Sequence, residues 1–123
     1  MQLSLLAQNF AVCRLPADAP FPAELGVASL FAVTRTKDEL SLVLPIDQVQ
    51  RGWTQEGPWS CFKVAGPLDF ALTGILAALT APLAEAGISI FALSTYDTDY
   101  LMVKTSECQA AQTCLTAAGH SFT

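Results

Sequence analysis

Leu30-Phe-Ala-Val-Thr-Arg-Thr-Lys-Asp-Glu-Leu-Ser-Leu-Val43 and, 60 residues further on, Ile90-Phe-Ala-Leu-Ser-Thr-Tyr-Asp-Thr-Asp-Tyr-Leu-Met-Val103 carry one pattern. Three of the 14 positions are identical and six are conservative. Each segment is an apolar run, a polar turn rich in Thr and Asp, and a second apolar run. That is how a β-hairpin reads. Similarity at a fixed spacing points to a duplicated module. A weaker echo lies upstream, where Phe10-Ala-Val12 resembles Phe62-Lys-Val64 at an offset of 52. The smaller offset implies a shorter connection in the first copy.

Working outward from the second hairpin, the pattern predicts a strand at Cys61–Val64, a helix from about Leu68 to Ala86, strands at Ile88–Thr95 and Asp99–Lys104, and a helix at Glu107–Ala118. Leu68, Leu72, Ile75, Leu76, Leu79 and Leu83 recur at three- and four-residue steps and form one apolar stripe on the first helix. Pro82 removes a backbone donor there and predicts a kink or interruption. Gly87 and Gly119 fall where helices end in a left-handed residue. His120–Thr123 are left for a closing strand. In the first copy the connection Pro16-Ala-Asp-Ala-Pro-Phe-Pro22 has three prolines in seven residues, which excludes a regular helix. A short helical turn follows around Ile46–Gln50, and Leu3–Ala7 reads as an extra strand turning at Gln8-Asn9 into Phe10–Leu15.

The fold class is therefore α+β: two ferredoxin-like βαββαβ modules in tandem, over residues 1–58 and 59–123. The N-terminal module is degenerate, its first helix replaced by a Pro-rich loop. In Ile88–Leu93 both strand faces are apolar, although helices cover one sheet face only, so a sister module or second subunit is expected on the other.

Composition narrows the function. Of 123 residues, 52% are hydrophobic and only 14% charged, which implies surface hidden against a second copy or another protein. Net charge is −5, and the six Lys and Arg residues are scattered singly, so nucleic acid is not an expected partner. Pro82, Glu85 and Gly87 break the long apolar run from Phe70 to Tyr96, which argues against a membrane span. No secretory signal is read at Met1–Ala7. A soluble, cytoplasmic chain is expected. Cys13, Cys61, Cys108 and Cys114 form no CxxC pair, and one His completes no zinc set. Reduced, buried thiols are expected, with no metal and no cofactor.

Two clusters have chemistry to offer. Val64-Ala-Gly66-Pro67-Leu68-Asp69-Phe70 leads from a strand towards the long helix. Free N–H groups at such a helix start can hold a carboxylate, while Asp69 can cap the helix or pair with a ligand ammonium. The same residues also make an ordinary capped turn. Ser94-Thr-Tyr-Asp-Thr-Asp-Tyr100 sits at the hairpin tip with two acids, hydroxyls and tyrosines suited to a cationic or polar small molecule. A solvated turn favours the same residue types. Asp97 and Asp99 lack the burial and the companion nucleophile that acid–base catalysis needs, so no enzymatic activity is expected. His120 reads as a surface or partly packed histidine. Trp53 and Trp59, flanking Gly57-Pro58, read as packing.

At Gly66-Pro-Leu-Asp-Phe-Ala-Leu-Thr-Gly-Ile-Leu76, Ser94–Tyr100 and Thr34-Arg-Thr-Lys-Asp-Glu-Leu-Ser41 the chain resembles small bacterial proteins with two tandem ACT modules. These are related to the ACT regions of aspartate kinases and of CASTOR-type amino-acid sensors. The resemblance runs from about Leu3 to His120. It implies binding of a free amino acid or similar small effector at an ACT–ACT interface, and a homodimer acting on a separate enzyme or transport protein. By likeness the ligand-binding residues are Gly66, Leu68, Asp69, Thr73, Ser94, Thr95, Asp97 and Asp99. An adaptor module working without ligand, through its apolar surface, is the alternative.

Overall fold

The computed structural model of the chain describes residues 1–23, 28–69 and 73–123. It divides into two compact units, one made of Met1–Leu6 with Ser60–Thr123 and the other of Ala7–Trp59.

In the Ala7–Trp59 unit, strand β2 (Phe10–Leu15) pairs antiparallel with β4 (Leu40–Pro45), and β4 with β3 (Ala32–Arg35). The first half of the long strand β5 (Thr54–Val64) lies on the other side of β2. Alternation builds the core, in which Ala11, Cys13, Leu40, Leu42 and Leu44 are all fully buried. Phe31, Val33 and Trp53 pack against them. Trp59 is also buried, so both tryptophans serve packing. Among the described residues no helix joins β2 to β3, as the prolines dictate.

In the other unit, β1 (Gln2–Leu5) pairs antiparallel with the second half of β5, Leu3 facing Val64. It also pairs in parallel with β8 (Ser121–Phe122). The expected hairpin between β1 and β2 does not form, because β1 takes its partners from the C-terminal half of the chain. Strands β6 (Ile90–Ser94) and β7 (Asp99–Lys104) form an antiparallel hairpin, and β7 pairs with β5. Helices α1 (Ile75–Glu85) and α2 (Cys108–Ala117) supply Leu79, Leu83, Ala111 and Leu115 to a core with Leu3, Phe62, Val64, Leu101 and Val103. Phe122 sets its ring edge against Phe62 at 5.2 Å.

Three expectations change. Helix α1 begins at Ile75, later than the predicted Leu68, because Gly74 adopts φ +78, which no right-handed helix can pass through. Leu72 of the predicted stripe and Phe70 of the preceding motif lie outside the described residues. Pro82 does not interrupt α1. It deprives the Ala78 carbonyl of its usual donor four residues on, and His120 Nε2–H takes that place at 3.1 Å. The imidazole Nδ1 in turn accepts from the Met1 ammonium at 2.8 Å. Of the two readings of His120, surface or partly packed, the structure thus bears out the packed one.

The third change concerns the repeat. Leu40–Pro45 and Asp99–Lys104 lie 59 residues apart, as do the 3₁₀ turns Ile46–Gln48 and Thr105–Glu107 that follow them. The hairpin turns match at the same spacing: Thr36 N–H donates to Glu39 O at 2.9 Å, and Thr95 N–H to Thr98 O at 2.8 Å. Aligning Phe-Ala with Phe-Ala, 60 apart, is one residue out. A slip of one residue turns every side chain of a strand to the opposite face, and packing therefore fixes 59.

Candidate functional site

The Thr95–Thr98 turn is self-braced. Thr95 Oγ1 donates to the Thr98 carbonyl at 3.1 Å and accepts from the Thr98 N–H at 3.3 Å. Thr98 is 5% exposed, and its hydroxyl donates to the Val64 carbonyl at 2.7 Å, tying the hairpin tip to the end of β5. The loop that leaves β5 passes hard against this turn. A Cβ on Gly66 would lie 3.0 Å from the Asp97 carbonyl oxygen and 3.1 Å from Thr98 Cβ. Two residues on, Leu68 N–H donates to the same Asp97 carbonyl at 2.6 Å. Any side chain there would have to push the Asp97 carbonyl aside, so the close approach favours glycine.

Between loop and hairpin lies a cavity of about 290 Å³. One wall is Leu68 and Asp69 with Gly74, Ile75 and Leu76 at the start of α1, and the other is Ser94 through Asp99. Ser94 Oγ donates to Asp99 Oδ1 at 2.7 Å across the β6–β7 pair, which orients that carboxylate. Among the described lining residues, Asp69, Asp97 and Asp99 give three carboxylates, and there is no Lys, Arg or His. The local field favours a cation.

The opposite pole is supplied by α1. The first backbone bond onto Gly74 comes from Ala78, at 2.9 Å. The N–H groups of Ile75 and Leu76 therefore have no acceptor inside the helix. The first turn carries no acidic residue, and its N-cap, Gly74, has no side chain with which to cap it. A carboxylate is stabilised at such an end by the free donors and the helix dipole. The donors lie at Ile75 and Leu76, not from Leu68 onward as an earlier helix start would place them. The cavity thus sets a helix start, with Asp69 beside it, across from a wall that carries Asp97 and Asp99.

Of the residues expected at the site, Leu68, Asp69, Ser94, Thr95, Asp97 and Asp99 line this cavity. Gly66 stands behind its wall, where it permits the close passage of the loop. Thr73 is exposed, next to Gly74 and outside the lining. Sequence reasoning missed Gly74, Ile75, Leu76, Tyr96 and Thr98. A signal existed for two of them. Thr95-x-x-Thr98 repeats the spacing of Thr36-x-x-Glu39, and Gly74 immediately precedes the densest part of the apolar stripe. The four thiols are free, with Cys13 and Cys61 fully buried away from the cavity. No helix among the described residues is long and apolar enough to cross a membrane.

The family model of the ACT domain matches residues 55–117, and a second model, of an N-terminal domain, matches residues 8–51. None of the curated proteins matches the chain. Among solved structures, a structural-genomics protein of Agobacterium tumefaciens is 37% identical, with a TM-score of 0.91 over 99% of this chain and 91% of that one. The aspartate kinase of Clostridium acetobutylicum shares the fold at 14% identity and a TM-score of 0.68, over 94% of this chain and 34% of the kinase. The regulatory subunit of aspartate kinase from Thermus flavus does so at 7% identity and 0.64, over 96% and 97%. The chain has the mixed α+β fold of ACT regulatory regions, and it belongs to the ACT domain family.

Proposed function

We propose that this chain is a regulatory protein that binds a free amino acid in the cavity between the start of α1 and the β6–β7 hairpin, and passes its occupancy to a separate partner. The observation that supports this is the cavity's polarity. Helix-start residues Ile75 and Leu76 line the same cavity as Asp97 and Asp99, an arrangement that a molecule with both a carboxylate and an ammonium can satisfy. With three carboxylates in the lining, neutral and basic amino acids should bind better than acidic ones. The ACT modules are read as a tandem pair, 1–58 and 59–123, with binding at a module interface. A homodimer would bring a second copy against the open side. The cytoplasm is the expected compartment, and no catalysis is assigned.

A bound effector that prefers one arrangement of modules shifts the population towards it. Coupling of about 1–3 kcal/mol is enough for regulation. The test is a thermal-shift screen of the full chain against each free amino acid. A ligand at a hundred times its Kd should add about 2.7 kcal/mol of stability. Asp99→Asn should weaken binding by roughly tenfold or more while the unliganded melting temperature stays close to wild type. Absence of binding by every amino acid would rule the reading out.

A further inference from the structure

The 59-residue correspondence places Arg35 where the other hairpin has Ser94, and Leu40 where it has Asp99; each is the cross-strand pair that closes its hairpin. In the C-terminal unit these positions hold Ser94 and Asp99, which line an open cavity. In the Ala7–Trp59 unit the same positions are spent differently. Leu40 is fully buried in the apolar core, a cluster against which Leu15 and Ala19 pack. The Arg35 guanidinium reaches over the loop that follows β2 and donates through Nη1 to the Ala17 carbonyl and through Nη2 to the Ala19 carbonyl at 2.6 Å. That loop is the counterpart of Gly66–Asp69, since each leaves the strand that precedes its hairpin. The loop itself is turned so that two carbonyls converge, with Ala19 N–H bonded back to the Pro16 carbonyl at 3.0 Å. A planar cation with forked donors is what such a carbonyl pair selects.

We infer that the N-terminal unit holds a second site at the corresponding place, a guanidinium site filled permanently in cis by Arg35, which leaves one open site of this placement among the described residues. The count of open sites rests on the amino-acid-binding reading, whereas the internal occupant does not. Arg35 is exposed along its length, so shortening it leaves the core of its unit intact.

The experiment is made on full-length Arg35→Ala by NMR, with methylguanidinium as the probe and methylammonium as the control. Exchange of the Ala19 amide should quicken by about tenfold or more when the guanidinium is removed. Methylguanidinium should then slow it again, saturably, with shifts confined to residues 16–20 and 34–36, and methylammonium should not. Unchanged exchange in the variant, or equal effects of the two cations, overturns the cis-occupied site. Calorimetry of the wild-type chain with each free amino acid supplies the count. One equivalent per chain supports the inference, and two equivalents overturn it while leaving the proposed function standing. No binding by any amino acid overturns the proposed function and the count, and the methylguanidinium result still decides whether Arg35 fills a site.

Discussion

Thr98 shows how much one hydroxyl can hold. Its bond to the Val64 carbonyl joins hairpin to strand, and the neighbouring Asp97 carbonyl then receives the Leu68 N–H. Thr98→Val keeps shape and volume but leaves the Val64 carbonyl without that donor inside the fold. The expected cost is about 1–3 kcal/mol in chemical denaturation, with amino-acid binding weakened because the cavity wall loosens. Thr98→Ser should retain most of both. At this scale the sequence was only partly legible. The acids and hydroxyls of Ser94–Asp99 announce a polar site by their chemistry. Nothing in residue type, however, tells that Thr98 points inward while Asp97 stays in solvent. That division comes from the strand register, which a one-residue error in the repeat spacing already obscures.

The elements follow from local rules, and their ends follow from particular residues. Apolar steps at Ile75, Leu76, Leu79 and Leu83 make α1, whose inner face buries the last two completely. The N-terminal end was misread because Leu68 continues the same periodicity without being helical. It packs on the core from a loop. A left-handed Gly74 decides the boundary, and glycine in sequence does not declare its φ. The Pro82 position has a further lesson, since the proline removes a donor within α1 and a histidine 38 residues later replaces it. His120→Ala would leave the Ala78 carbonyl without the imidazole and the Met1 ammonium without its acceptor. We expect a loss of about 1–2 kcal/mol, read from the denaturation midpoint, with α2 and the helical circular dichroism retained. Such long-range substitution of one donor for another has no periodic signature, and only coordinates reveal it.

For the molecule as a whole, burial couples stability to alkaline pH. The Cys61 thiol is pushed up to about 12 by burial, and Cys13 is raised for the same reason. The unfolded chain gives up these protons near the ordinary value of 9.0, whereas the native chain keeps them. Stability is therefore undiminished below pH 9 and falls as pH rises from there towards 12. Denaturant midpoints measured across that range should decline, and less steeply in Cys61→Ala. Thiol reagents at pH 8 should leave Cys61 untouched until the chain unfolds. The mixed α+β class was legible at this scale, because a strand–turn–strand pattern recurring at a near-constant spacing points to it. The grouping of Met1–Leu6 with Ser60–Thr123 was not, since pairing between distant strands leaves no mark in either one.

That grouping governs how the protein can be dissected. Gln2–Leu5 runs beside Ser121–Phe122 and shields the margin of β5, so a piece severed before Ser60 would present bare amide and carbonyl groups along Phe62–Val64. Because Thr123 already donates its N–H to the Leu3 carbonyl, the two chain ends are close enough for a short linker to rejoin them. A piece meant to preserve that unit by itself should therefore be a circular permutant, beginning at Ser60 and finishing with Met1–Leu6, and not a simple truncation.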